Sequence, residues 1–388
     1  MMIQRLITFP KTGSFFLFGS RQTGKTTLVH ARYTKDIWTV DLLLNDVFFA
    51  YSQNPSRFRE EAIEKIKNDH IKTIFIDEVQ RVPLLLNEVQ YLMQNYPCQF
   101  ILTGSSARKL KRGGANLLAG RAVERHLFPF VYAELKEMFN FEDHLRFGSL
   151  PAIYGKSDQE KQDILSAYVH TYLREEIQSE GLTRNIGAFS RFLDMAAGQF
   201  TELVSYSAIA RECQIPVKTV QAYYEILEDT LVGVRLQPWR KSLRKRLVAH
   251  PKFYFFDLGV TNAINKRLTG QLDQLLRGKL FEQWIILETR SHIHYQGSEH
   301  SMYYWRTNHG AEVDLILEKH GKIIGAYEIK AGKRIDGSHL SGLRAFRGEH
   351  SDSVPCHVIS DVPHSYEIDK IKIIPWQKYL SDLPSLLK

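Results

Sequence analysis

Nine residues near the start of the chain carry the sharpest chemical pattern. Gly19-Ser20-Arg21-Gln22-Thr23-Gly24-Lys25-Thr26-Thr27 contains a glycine, four residues, then Gly-Lys-Thr. The apolar run SFFLFGS (14–20) leads into it and the helical stretch TTLVHARY leaves it. A strand before and a helix after suit a phosphate-binding loop. The glycines let the backbone approach an anion, successive N–H groups point at it, and the helix start adds a favourable dipole. On this reading residues 19–27 cradle a nucleotide. Lys25 reaches its β- and γ-phosphates and Thr26 holds Mg²⁺.

Two further strand ends belong with the loop. TIFID closes on Asp77 and Glu78, and ligands of open α/β sheets sit outside the carboxyl ends of strands. Asp77 is expected to bind Mg²⁺ through water, and Glu78 to polarise the attacking water. QFILTGSS ends in Thr103, Ser105 and Ser106. Ser105 is the candidate for orienting that water; a plain Ser-rich turn is the alternative.

A second set of charged residues lies in the last third. GKLFEQWIILETRSHI (278–293) reads as a buried helix containing Glu282. MYYWRT (302–307), AEVDLILEK (311–319) and KIIGAYEIKAG (322–332) read as strands joined by short turns, so the pairing is expected to be antiparallel. Alternation puts Glu312 and Asp314 on one face of the second strand, and Glu328 and Lys330 on one face of the third. Asp314 and Glu328, joined by Glu282 and the Ile329 carbonyl, would hold Mg²⁺ or Mn²⁺. The metal would activate water for phosphodiester cleavage, with Lys330 stabilising the phosphorane. An alternating strand with solvated charges is the competing reading. Trp305 is assigned to the core and Arg306 to a phosphate contact. His292, His294, His300 and His309 are read as surface residues.

The elements that must position these groups follow from periodicity. IWTVDL (37–42), TIFID, QFILTG (99–104) and AVERHLFPF (122–130) alternate with helical stretches. That order predicts a parallel sheet covered by helices on both faces, over residues 1–130. Residues 131–200 read as a helical lid or connector. Residues 201–250 read as a winged helix-turn-helix: SAIARECQ, a turn at Ile215-Pro216, KTVQAYYEILEDT, then the strand LVGVRLQPW. Lys218 and Thr219, with Val217 and Gln221, open its second helix, where DNA readers place contacts. Arg240, Lys241, Arg244, Lys245, Arg246 and Lys252 follow as a basic patch suited to phosphates, and Arg108, Lys109, Lys111 and Arg112 form a second run. Residues 251–388 then form the last domain.

Composition is compatible with this. Of 388 residues, 44% are hydrophobic and 24% charged, which excludes a disordered chain, and the length suggests two or three domains. The net charge of +8 favours an anionic partner. Three scattered cysteines argue against a disulfide framework or a zinc site and favour the cytoplasm. No stretch approaches the roughly 18 apolar residues of a membrane helix, so no membrane partner is expected.

GSRQTGKTT, TIFIDEVQ and ILTGSS, in that order, resemble the AAA-type ATPases. In that family an arginine before the fifth strand often acts as a finger on a neighbour's γ-phosphate. Arg121 of LLAGRAVERH occupies that place, which would imply a homo-oligomer; a surface or salt-bridged arginine is the alternative. Only Arg5 precedes the loop as a potential adenine-pocket residue, so ATP is implied by the family alone. Glu282, Asp314, Glu328 and Lys330 resemble the PD-(D/E)XK nuclease pattern. From YVHTYLREEI through KFYFFDLG, GKLFEQW, YYWRTNHGAEVD and AYEIKAG, the chain resembles bacterial and archaeal AAA-type ATPases with a C-terminal domain of formerly unknown function. The resemblance implies an α/β protein: a parallel-sheet P-loop core, a helical lid, a winged helix and an α/β nuclease-like C-terminal domain. It also implies ATP hydrolysis on or regulated by DNA. An ATP-driven switch that binds DNA or protein without cleaving is the alternative.

Overall fold

The computed structural model describes residues 3–105, 118–173, 186–240, 250–350 and 353–388. It divides into two compact units, Leu6–Pro129 with Asp229–Val232, and Met1–Arg5 with Phe130–Glu228 and Gly233–Lys388.

The first unit is built on β1 (Phe15–Phe18), β2 (Ile37–Asp41), β3 (Thr73–Asp77), β4 (Gln99–Gly104) and β5 (Val123–His126). Their order in the sheet is β2-β3-β4-β1-β5, and every pairing is parallel. FFLF and TIFID are buried at every position, because helices cover both faces and no side chain can point to water. The helices α1 (Lys25–Arg32), α2 (Asn45–Gln53), α3 (Pro55–Asn68) and α4 (Leu85–Asn95) fill the connections. Pro55 starts α3, where its missing N–H is no loss. Phe58 and Ala62 of α3, and Leu85, Val89 and Leu92 of α4, join Phe16, Ile74 and Phe100 in one core. From β1 the chain runs to the far edge, returns strand by strand to β4, and passes to β5 on the other side of β1. The carboxyl end of β1 therefore lies at the point where the strand order reverses, the usual place for a ligand crevice.

The second unit carries an eight-stranded mixed sheet among the described residues. Its strands are β6 (Gly233–Pro238), β7 (Lys252–Phe255), β8 (His300–Arg306), β9 (Glu312–Lys319), β10 (Lys322–Lys330), β11 (Cys356–Ser360), β12 (Tyr366–Ile368) and β13 (Ile371–Pro375). They lie in the order β12-β13-β11-β10-β9-β8-β6-β7. The expected hairpins form: β8 with β9 and β9 with β10 are antiparallel. His320 and Gly321, at φ 52° and 78°, make the second turn, whose left-handed pair matches strand twist. The helix Gln274–Gln296 packs on this sheet with Leu280, Phe281, Trp284, Ile285 and Ile286 buried.

The helices Tyr206–Cys213 and Val217–Asp229 form the expected helix-turn-helix, with Gln214 left-handed between them. The strand after them, β6, forms an antiparallel hairpin with β7, and Leu203 bridges to Lys252. β6 also pairs parallel with β8, so the boundary expected at 250/251 falls inside one continuous sheet. β7 ends at Phe255, because Asp257 caps the helix Leu258–Ile264 through the N–H of Val260.

Candidate functional site

The loop after β1 is shaped by backbone conformations that few residues adopt. Gly24 has φ 87° and Gln22 φ 61°. A Cβ on Gly19 would lie 2.5 Å from the Leu127 carbonyl oxygen, so glycine is required there too. Thr23 Oγ1 donates to Ser20 O at 2.8 Å and closes the loop on itself. Ser20 Oγ donates to Leu231 O at 2.7 Å. Thr27 lies in the first turn of α1 and is exposed, and Arg21 is half-buried in the loop. Lys25 is buried, and its ammonium donates to Gly19 O at 2.8 Å and Ser20 O at 3.2 Å.

The strand ends β3 and β4 meet this loop. Thr26 Oγ1 donates to Asp77 Oδ2 at 2.6 Å, so the two expected magnesium residues are adjacent. Thr103 Oγ1 donates to the other Asp77 oxygen and accepts the Glu78 N–H at 3.1 Å. Glu78 sits at φ 56°, and its Oε1 lies 3.9 Å from Lys25 Nζ. Ser105 does not bond Glu78 directly. Gln80 stands between them, its Nε2 donating to Glu78 Oε2 and to Ser105 Oγ, the latter at 3.1 Å. The quoted run TIFIDEVQ contains Gln80, but period-2 reasoning ends with the strand and cannot see a side chain turning back from a 3₁₀ turn.

The residues fit a magnesium nucleotide. The hydroxyl–carboxylate pair Thr26–Asp77 is the oxygen donor set a hard cation requires, and the loop leaves no room for a Cβ at Gly19. Arg121 is exposed just before β5. With the Gln94 amide oxygen turned toward it, Arg121 donates through Nη1 at 2.8 Å and Nη2 at 3.0 Å. Arg5 does not belong to this unit: it pairs with Glu134 at 3.0 Å, bonds Tyr295 at 3.1 Å and stacks on Phe130. Ser106, Arg108, Lys109, Lys111, Arg112, Lys241, Arg244, Lys245 and Arg246 lie outside the described residues.

In the second unit the acids converge as alternation predicts, but around an ammonium. Lys252, expected in a basic patch suited to phosphates, is 3% exposed. Its Nζ lies 3.0 Å from Glu282 Oε1, 2.5 Å from Glu312 Oε1 and 3.5 Å from Asp314 Oδ1. Tyr254 OH donates to the same Glu282 oxygen at 2.7 Å, and the Ile329 N–H donates to Asp314 Oδ2 at 2.9 Å. Lys330 Nζ pairs with Glu328 at 2.6 Å. Burial works against the Lys252 charge, but Glu282, Tyr254, Asp314 and Glu312 outweigh it and hold its pKa well above the lysine value. Burial raises the Glu282 carboxyl, with Lys252 opposing. Burial, reinforced by Asp314, pushes Glu328 up to about 8. Burial opposes the Lys330 charge too, yet Asp314 and Glu328 raise it.

Glu282, Asp314 and Glu328, the residues expected to form a metal centre, face Lys252 and Lys330 in this structure. Among the described residues, no group of three or more His, Cys, Asp or Glu is disposed to hold a metal ion. The physical reason is charge: buried carboxylates need a cation, and β7 supplies one from the chain. Arg306, exposed at the end of β8, pairs with Glu312 at 2.7 Å. Trp305 is core. His292 and His300 are buried, not on the surface; His292 lies 3.9 Å from Glu288, and His300 Nδ1 is 2.6 Å from Ser298 Oγ. At the start of the helix Val217–Asp229, Val217, Lys218 and Gln221 are exposed and Thr219 is half-buried, and Arg240 is exposed.

The first unit is thus a parallel-sheet α/β domain with a phosphate-loop pattern, joined in one chain to a mixed α/β sheet unit. Residues 11–136 match the family described as AAA domain. Residues 138–271 and 277–379 match two families each described as a domain of unknown function, DUF8612 and DUF4143. An uncharacterized protein of Mycobacterium tuberculosis is 29% identical over 264 residues, covering 66% of this chain and 58% of the relative. One of Haemophilus influenzae is 23% identical over 299 residues, covering 70% and 75%. The chain therefore spans less than two thirds of the mycobacterial relative's length. Two solved structures also align. Replication initiator DnaA, bound to AMPPCP and single-stranded DNA, gives 15% identity over 56% of this chain and 82% of that one, at TM-score 0.28. The Aeropyrum pernix ORC1 protein in complex with DNA gives 14% over 66% and 87%, at TM-score 0.27. No described helix is long and apolar enough to cross a membrane.

Proposed function

We propose that the first unit binds and hydrolyses ATP. The observation that carries this is the 2.6 Å contact between Thr26 of the phosphate loop and Asp77 of β3, with Lys25 and Glu78 beside it. Backbone N–H groups of residues 19–27 receive the phosphates, and Lys25 exchanges its loop carbonyls for the β- and γ-phosphate oxygens. Thr26 and Asp77 would hold Mg²⁺, which when bound neutralises phosphate charge. Glu78 accepts the proton of the attacking water, and Ser105 helps orient that water. Arg121, exposed before β5, is proposed to reach the γ-phosphate bound by a second copy of the chain.

For the second unit, DNA is the proposed partner. The net charge of +8, the exposed Lys218 at the start of the helix-turn-helix reading helix and the basic run that begins at Arg240 support it. Thr219 shares that helix start, and Lys241, Arg244, Lys245 and Arg246 continue the run. The central Lys252 favours the switch over the cutter: nucleotide state governs DNA engagement, and the acids are neutralised from within rather than by Mg²⁺ or Mn²⁺.

The test is direct. Lys25→Ala should lose binding of labelled ATP, and Glu78→Gln should bind ATP without turning it over. A parent chain that binds no nucleotide at any magnesium concentration overturns the reading. DNA should raise turnover, fading as salt rises because phosphate contacts release counterions. Metal-dependent cutting of linear, circular or branched DNA that is lost in Asp314→Ala would replace the switch by a nuclease.

A further inference from the structure

We propose that Gln80 is a positioning residue for the hydrolysis: it fixes the Glu78 carboxylate beside Lys25 and ties it to Ser105 at the end of β4. The inference rests on the ATPase reading of the first unit and adds a residue to it.

The amide orientation is dictated by chemistry. A carboxylate only accepts hydrogen bonds, so the Gln80 group facing Glu78 Oε2 must be the nitrogen. The same nitrogen donates to Ser105 Oγ at 3.1 Å. Its two N–H groups therefore serve the water-activating acid and the neighbouring strand end. The other half of the amide is held at a cost. Gln80 Oε1 is buried and has no hydrogen-bond partner among the described residues. An unsatisfied buried carbonyl is destabilising, so a side chain chosen for stability alone would not be left this way.

Packing locks the side chain in place. A Cβ on Gly104 would lie 2.7 Å from Gln80 Oε1 and 3.6 Å from the Phe18 ring, so the absence of a side chain at Gly104 makes room for the amide. Gln80 is 7% exposed and Ser105 is 2% exposed. Glu78 has little else to fix its oxygens. Its backbone N–H is held by Thr103, and the charged groups around its carboxyl are Lys25 of α1 at 3.9 Å and the adjacent Asp77, itself bonded to Thr26 and Thr103.

A neutral donor suits the task. It orients one carboxylate oxygen and leaves the other for water, whereas a cation at the same place would neutralise the base. One consequence follows for kinetics: loss of the amide misplaces the base.

The experiment uses the full chain with Mg²⁺ and ATP, comparing parent, Gln80→Leu, Gln80→Glu and Glu78→Gln. Gln80→Leu should bind labelled ATP as the parent does and lose about 100-fold in kcat, the scale of misplacing a reacting group by an ångström. KM for ATP should stay within about twofold of the parent, so that the loss falls on kcat alone. Gln80→Glu, which keeps the shape but sets an acceptor against Glu78 in place of the donor, should be at least as slow as Gln80→Leu. A purely structural role would lower ATP affinity and melting temperature together with kcat. Gln80→Leu within about twofold of the parent in kcat, or losing kcat and ATP affinity together, overturns the proposal. If the parent itself turns over no ATP, or Glu78→Gln does so at the parent rate, it is the ATPase reading that fails.

Discussion

Lys252 of β7 and Glu282 of the helix Gln274–Gln296 meet at 3.0 Å, ammonium nitrogen to carboxylate oxygen, with Lys252 3% exposed. Glu312 and Asp314 face the same nitrogen from β9. This cation holds together the charged centre of the second unit. Removing one partner of such a buried pair leaves the others uncompensated and typically costs about 3–5 kcal/mol. Lys252→Met should lower the free energy of unfolding by that order in urea titrations. Millimolar Mn²⁺ should raise the melting temperature of Lys252→Met but not of the parent, because oxygen ligands freed from the ammonium suit a hard cation. A variant as stable as the parent would show that the ion pairs contribute nothing.

The Thr26–Asp77 contact separates nucleotide binding from its magnesium dependence. Thr26→Ala and Asp77→Asn should keep weak ATP binding through the loop amides and Lys25, yet lose the tightening that Mg²⁺ produces in the parent. Titration of labelled ATP with and without Mg²⁺ reads this directly. Equal magnesium enhancement in parent and variants would remove both residues from the metal site.

Gly104 and Gln80 are coupled by space. A methyl group at Gly104 meets Gln80 Oε1 at 2.7 Å, while the surrounding strand keeps a conformation any residue adopts. Gly104→Ala should therefore reproduce the slow hydrolysis of Gln80→Leu with a folded, ATP-binding protein. Adding Gly104→Ala to Gln80→Leu should cost little more, as expected for two changes acting through one contact.

Gly342 packs directly against the backbone of β9. A Cβ there would sit 1.8 Å from the Glu312 carbonyl oxygen and 3.4 Å from Glu328 Oε2. The first of these is backbone and cannot step aside. Gly342→Ala should destabilise the chain by about 1–3 kcal/mol or more through overpacking. Urea unfolding measures it, with Gly348→Ala, which meets nothing within 4 Å, as the control.

Glu288 predicts a pH slope. Burial pushes its carboxyl up to about 8, even though the Tyr132 N–H at 2.7 Å and the Trp284 indole at 3.0 Å donate to it. Its folded pKa lies above the unfolded value near 4.5, so the folded state holds the extra proton between them. Stability is therefore greatest below that range and falls as pH rises through about 8. The melting temperature of the parent should drop from pH 5 to pH 9 (roughly the window this shift sets), and Glu288→Gln should drop less. Identical slopes would mean that Glu288 is ionised in the folded protein at neutral pH.

Much of the first unit is legible from amino-acid order because its signals are local. Gly24 and Lys25 follow β1 by a few residues, and TIFID is apolar throughout because both faces are covered. Gln80 escapes the same reasoning. It follows Glu78 by two residues, but only the 3₁₀ turn Val79–Arg81 brings its amide back to the acid and across to Ser105. In the second unit, alternation places Asp314 and Glu328 correctly on their strands. Reading Lys252 as the end of a basic run suited to phosphates misses its burial, which follows only once β7 is paired with β6.

The order of residues alone determined the phosphate loop, the acids at the end of β3, the strand–helix alternation and the hairpins β8–β9–β10, since each depends on neighbours a few positions apart. Tertiary packing decided the rest: that β6 joins the large sheet through β8, that Gln80 grips Glu78, and that Lys252 fills the centre where acids converge. Those outcomes join residues tens of positions apart, and they are settled by which charge a buried carboxylate meets once the sheet has closed around it.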